Sequence, residues 1–176
     1  MNNTRKLVLS ALFIALGIVL PFFTGQLPQI GNMLLPMHIP VMICGFVCGA
    51  PYGLAVGIIV PLLRSVMFGR PMMMPTAVGM AIELAVYGLV TGLMYSKFKH
   101  KKLGIYISLI TAMITGRIVW GIASFFIYRA LGNPFTWGYF AAEILINAVP
   151  GIIVQLILIP TLIFALNKAR LLDNTK

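Results

Sequence analysis

Turn residues and charges break the apolar positions into six runs, 7–23, 33–50, 52–68, 76–95, 103–131 and 139–165. Each is close to or above the roughly 20 apolar residues a helix needs to cross a bilayer core of about 30 Å. The runs predict an all-α integral membrane protein, a compact bundle of six transmembrane helices forming a single domain over 1–176. The least marked division is Gly49-Ala50-Pro51-Tyr52-Gly53, read as a tight turn because an unbroken helix over 33–68 would far exceed a bilayer. Arg5-Lys6 before the first run has the look of a signal-peptide start. The run is long, however, and has no clear small-x-small cleavage site before Gln26, so it is expected to remain as the first span.

Six spans put Arg5, Lys6, Lys97, Lys99, Lys101, Lys102, Lys168, Arg170 and Lys176 on one side, and only Arg70 and Arg129 at the opposite surface. Five or seven spans would divide the basic groups. By the bias of Lys and Arg toward the cytoplasm, both termini are expected there, in a multi-pass protein of the plasma membrane. The outer connections are then 24–32, 69–75 and 132–138, rich in Gly, Pro, Gln or Asn, where a lid over a ligand is expected.

Composition agrees with lipid as the solvent. Of 176 residues, 60% are hydrophobic and 9% charged, and the mean hydropathy is +1.01, whereas soluble domains are about 25% charged. The formal charge of +10 is grouped between apolar runs and forms no basic face of the kind that binds nucleic acid. Cys44 and Cys48, one helical turn apart with no further Cys and no nearby His cluster, read as packing residues, so no metal site is expected.

Helices in lipid approach closely only through small residues. Gly45, Gly49, Gly53 and Gly57 recur every four residues, Gly88 and Gly92 form a second set, and Ala11 and Ala15 a pair on the first span. The glycines are expected to pack helices within the chain.

Ionisable groups inside spans need a partner or water, which singles out Arg64, Glu83, Arg117 and Glu143. They are either two internal ion pairs that hold helices in register or part of the lining of a polar cavity. Tyr87 and Asn147 lie one turn beyond the two glutamates, and Trp120 three residues beyond Arg117, a pattern that suits a small polar ligand. Arg117 is the foremost candidate, because a guanidinium stays charged in a low-dielectric site and can hold a carboxylate by two parallel hydrogen bonds. Its competing partner is Glu83 or Glu143. His38 and Met72-Met73-Met74 are weaker candidates, the His able to cap a helix start and the methionines to fill space.

There is no phosphate-binding loop, no HExxH, no GxSxG and no aspartate pair for Mg²⁺, and only three carboxylates in all. The chain is therefore expected not to be an enzyme and to need no cofactor. No internal repeat of the kind found in stand-alone secondary transporters is evident, so the protein either binds without doing work or works with partners.

Arg5-Lys6, then Ala11-Leu12-Phe13-Ile14-Ala15, then Pro36-Met37-His38-Ile39-Pro40-Val41, resemble the substrate-binding S components of energy-coupling factor (ECF) vitamin transporters, along essentially the whole chain. Pro61-Leu62-Leu63-Arg64-Ser65, Glu83-Leu84-Ala85-Val86-Tyr87-Gly88 and Gly116-Arg117-Ile118-Val119-Trp120-Gly121 look similar to the pantothenate-type branch. The resemblance implies a membrane protein that captures a vitamin outside, using its later helices and outer loops. A transmembrane coupling subunit with two ATPases then drives uptake, which accounts for the missing phosphate loop. It further implies that the Ala11/Ala15 motif meets the coupling subunit and that the S component topples in the membrane to deliver its cargo.

From the residues, an Arg117-centred site prefers an anion, and pantothenate carries a carboxylate, hydroxyls and an amide that Glu143, Asn147 and Tyr87 could satisfy. His38, Arg64, Glu83 and Trp120 complete the candidate set. Riboflavin-like or folate-like ligands would want more aromatic stacking. The alternatives are a structural membrane protein held by internal ion pairs, a membrane enzyme acting on lipid-like substrates, and a stand-alone facilitator.

Overall fold

The computed structural model describes residues 2–23, 34–101, 103–132, 138 and 148–169. These form six α-helices joined by turns, with no strand among them: α1 (Asn3–Phe23), α2 (His38–Cys48), α3 (Ala50–Phe68), α4 (Val78–Phe98), α5 (Gly104–Ala130) and α6 (Val149–Lys168). All but α2 are long and apolar enough to cross a membrane, so the fold is the expected all-α membrane type.

The second helix starts at His38, later than the run from residue 33 suggested, with 35–37 in a turn. Pro36 supplies a reason, since a proline disfavours helical geometry at the residue before it. At 11 residues α2 is about 16 Å long. The break anticipated over 49–53 narrows to one residue, Gly49, whose φ of 95° is accessible to glycine and costly to residues with a Cβ. Its carbonyl accepts from Gly53 N–H at 3.0 Å and its N–H donates to Gly45 at 3.1 Å, so the chain reverses with its backbone groups engaged. An irregular turn, Met73–Ala77, leads into α4, and Met72, Met73 and Met74 are exposed on it.

The central helix is α4, packed against α2, α3 and α5. It approaches α2 and α3 through glycines: a Cβ on Gly45 or on Gly53 would lie 2.6 Å from the Gly88 carbonyl oxygen, and one on Gly57 would run into the Leu84 backbone. Without these glycines the helices could not approach as closely, and in lipid, where apolar burial drives association little, such contact holds them together.

Helix α1 lies against α2 and α3 by one stripe, Ser10, Phe13, Gly17 and Pro21. Its other face, with Leu7, Val8, Leu12, Leu16 and Val19, is exposed. Ala11 and Ala15 are on that exposed face.

Ring and side-chain contacts align the two ends of the bundle. Lys6 lies over Tyr52, Phe46 meets Tyr95 edge-on at 5.0 Å, and the Asn167 amide donates to the Tyr95 hydroxyl at 3.3 Å. The starts of α1 and α3 and the ends of α2, α4 and α6 therefore share one end, which also carries Arg5, Lys97, Lys99, Lys101 and Lys168.

Because the Gly88 Cα hydrogen faces the Gly53 backbone directly, Gly88→Val should cost at least about 1–3 kcal/mol of stability by overpacking. Gly79→Ala, whose Cβ would meet Trp120 at an ordinary 3.5 Å, should leave the melting temperature in detergent nearly unchanged. Thermal melts of the two variants compare these outcomes.

A buried charge cluster as the candidate functional site

Three helices bring charged and polar groups together on the inner face of α4. Glu83, one and a half turns into α4, is 2% exposed. Its Oε1 lies 3.2 Å from Nη1 of Arg117, the midpoint of α5, and its Oε2 lies 3.8 Å from Nε2 of His38, the first residue of α2. The Arg117 side chain is 12% exposed and His38 only 1%. A carboxylate and a guanidinium so deep in a membrane helix bundle need each other, because an unpaired charge there costs several kcal/mol.

Tyr87, one turn beyond Glu83, packs edge-on against the His38 ring at 5.3 Å between centroids and interacts with both Glu83 and Arg117. Its ring lies directly on Gly116, where a Cβ would overlap it, so the residue before Arg117 has to be small for tyrosine and arginine to converge. The Arg117 guanidinium stands 5.9 Å from the Trp120 ring centroid, within cation–π range. Trp120 in turn packs beside Gly79 of α4.

The ion pair leaves much hydrogen-bonding capacity unused. Among the described residues, both ring nitrogens of His38 and Nε and Nη2 of Arg117 have no hydrogen-bond partner, and Glu83 Oε1 is engaged only through its ion pair with Arg117 Nη1. Away from water such groups cost free energy until something satisfies them. The cluster can thus donate from two guanidinium nitrogens while offering a carboxylate oxygen and an imidazole beside them, which is the chemistry needed to hold a small molecule carrying both acceptors and donors.

Of the residues singled out in the sequence, His38, Glu83, Tyr87, Arg117 and Trp120 come together. Glu143 and Asn147 lie outside the described residues. Arg64 does not join: its Nε donates to the Arg70 carbonyl at 3.2 Å, Nη1 to the Ile18 carbonyl at 3.4 Å, and its guanidinium sits 5.1 Å from the Phe22 ring. It ties α1 and the connection after α3 to the end of α3 opposite the lysines. His38 does not cap α2 but turns its ring inward to Glu83.

One residue escaped notice. Gln155 of α6 is 1% exposed, on the same stripe as Gly151 and Ile159, and its Nε2 has no partner among the described residues. As an uncharged side chain in an apolar run it carries a weak sequence signal, though an amide at that depth is as much in need of explanation as a charge.

Residues 5–163 match the family model of the ECF transporter, substrate-specific component. The chain belongs to this family. It is the substrate-binding subunit of a membrane transporter and not an enzyme, and it works with the membrane and ATPase subunits of an ECF complex on a small-molecule substrate. No curated protein and no solved structure matches the chain. The buried cluster is thus found in a protein whose task is to bind a small molecule.

Replacing either member of the Glu83–Arg117 pair strands the other. Glu83→Gln and Arg117→Gln should each cost about 3–5 kcal/mol, whereas the double variant, with no charge left over, should melt at a higher temperature than either single one. Additive losses in the double variant would show that the two charges are not coupled.

Proposed function

We propose that this substrate-specific component captures pantothenate or a related small carboxylate-bearing vitamin or precursor from outside the cell. The observation that supports the reading is the pair of Arg117 nitrogens left without a hydrogen-bond partner among the described residues, in a buried site. A guanidinium with two free donors is suited to a carboxylate held by parallel hydrogen bonds. Glu83, His38 and Tyr87 offer partners to the hydroxyls and amide of the same molecule, and the Trp120 ring supplies an apolar wall. Glu143 and Asn147 stay candidates from the sequence alone, outside the described residues. Arg64 is assigned to holding α1 and not to the substrate.

The concentration of Lys and Arg at one end of the bundle supports an orientation with both termini in the cytoplasm. The 69–75 connection then faces outward. The exposed Ala11/Ala15 face of α1 is left available, and we assign it to the coupling subunit of a complex with two ATPases. Small residues on an otherwise apolar, unpartnered helix let a second helix approach.

Titrating the purified protein in detergent with a vitamin panel headed by pantothenate, followed by Trp fluorescence, should give saturable quenching through Trp120. Arg117→Ala should weaken binding about 100-fold, as expected for loss of a charged hydrogen-bonding pair worth about 3 kcal/mol. Absence of a response to every vitamin, together with no thermal shift, would overturn the reading.

Ala11→Trp and Ala15→Trp should leave that affinity intact while abolishing uptake by vesicles that contain the coupling and ATPase subunits. Uptake at the unmodified rate would remove α1 from the docking surface. Uptake by vesicles lacking those subunits would instead mark an autonomous facilitator.

A further inference from the structure

Charge has to balance where Glu83 and Arg117 meet. With one carboxylate and one guanidinium 3.2 Å apart, the pair is neutral overall. A substrate carboxylate accepted by Arg117 adds a negative charge at the middle of α5, in surroundings where an uncompensated charge is strongly disfavoured. Either the substrate enters without its charge, or a positive charge enters with it.

Among the described residues, the group placed to carry that positive charge is His38. Its Nε2 lies 3.8 Å from Glu83 Oε2, and neither ring nitrogen has a hydrogen-bond partner among the described residues. The titratable groups facing it are Glu83 and Tyr87 of α4, with Arg117 of α5 on the far side of the Glu83 carboxylate. The other helices packed on α2 offer no substitute. On α1, Arg5 and Lys6 are at the basic end; on α3, Arg64 is held by Ile18 and Arg70 and Tyr52 is at the basic end; on α6, Gln155 is uncharged and Lys168 is at the basic end.

We propose that the protein binds its anionic substrate together with one proton, and that His38 takes the proton. The inference rests on the carboxylate reading of the substrate given above. On binding, a proton from water outside forms a bond to the free imidazole nitrogen of His38. The imidazolium becomes the counter-ion of Glu83, and Arg117 is released from Glu83 to the substrate carboxylate. Counted over the described residues, the cluster is neutral before the event, Arg⁺ with Glu⁻, and neutral after it, Arg⁺ with substrate⁻ and His⁺ with Glu⁻. When the substrate leaves, Glu83 returns to Arg117 and the proton departs with the substrate.

Isothermal titration of the full chain in detergent with pantothenate, in buffers of different ionisation enthalpy, counts the protons. At about pH 8, close to one proton per bound pantothenate should be taken up. The affinity should weaken as pH rises, by up to about tenfold per unit. The uncharged alcohol analogue of pantothenate should bind without proton uptake. In His38→Gln, shown to be folded by its melting temperature, the residual binding of pantothenate should take up no proton and lose its pH dependence.

Wild-type binding of pantothenate with no proton uptake would overturn the proposal while leaving the substrate assignment standing. Undiminished uptake in His38→Gln would refute His38 as the proton acceptor. A wild-type protein that binds neither pantothenate nor its alcohol analogue would instead defeat the substrate assignment itself, and the proton with it.

Discussion

A carboxylate in the middle of a membrane bundle must be answered by a positive charge, and much of this structure is arranged around that requirement at Glu83. The helix that carries it, α4, is the one against which α2, α3 and α5 all pack, so the charge is shielded from lipid by neighbours on several sides. Arg117 supplies the opposite charge, and His38 and Tyr87 close the surroundings. The same interaction serves two ends. It draws α5 onto α4 in a fixed register, and among the described residues it leaves a guanidinium only partly satisfied, which is a poor choice for a purely structural ion pair and a useful one for a binding site.

That arrangement is possible only because the backbones come so close. Gly53 against Gly88, and Gly57 against Leu84, remove the space a side chain would occupy between α3 and α4. Gly116 does the same for the Tyr87 ring. Larger residues at these places would separate the helices, lengthen the distance between Glu83 and its partners, and open the charges to lipid. Packing and polar chemistry are therefore one constraint here, since small residues let the charged groups reach one another.

The bundle is also divided in its use of surface. The polar groups of the site turn inward from α2, α4 and α5, while α1 keeps one narrow stripe for α2 and α3 and presents the rest of its apolar face outward. Arg64 joins the two regions mechanically. It binds the carbonyl of Ile18 on α1 and that of Arg70 in the connection leading toward α4, although it takes no part in the charge cluster. Under the proposed function, this division puts capture and partner contact on different faces of a small protein.

The sequence by itself determined the membrane class, because apolar runs of bilayer length admit few other solutions, and it marked Glu83 and Arg117 as residues in need of explanation, because charge in such runs is costly. It also marked Tyr87 and Trp120 by helical spacing from them. That Glu83 meets Arg117 could not be read from spacing along a single helix, since it depends on how α4 and α5 face each other. Only the tertiary structure placed Glu83 there, turned His38 inward where a capping role was equally open, and set Arg64 apart among α1 contacts despite its similar burial and charge. Gln155 was overlooked for the same reason: an uncharged amide breaks no composition rule, and its isolation among the described residues is visible only once the helices around it are in place. Local pattern decides which residues are out of keeping with lipid, and helix-to-helix geometry decides which of them meet.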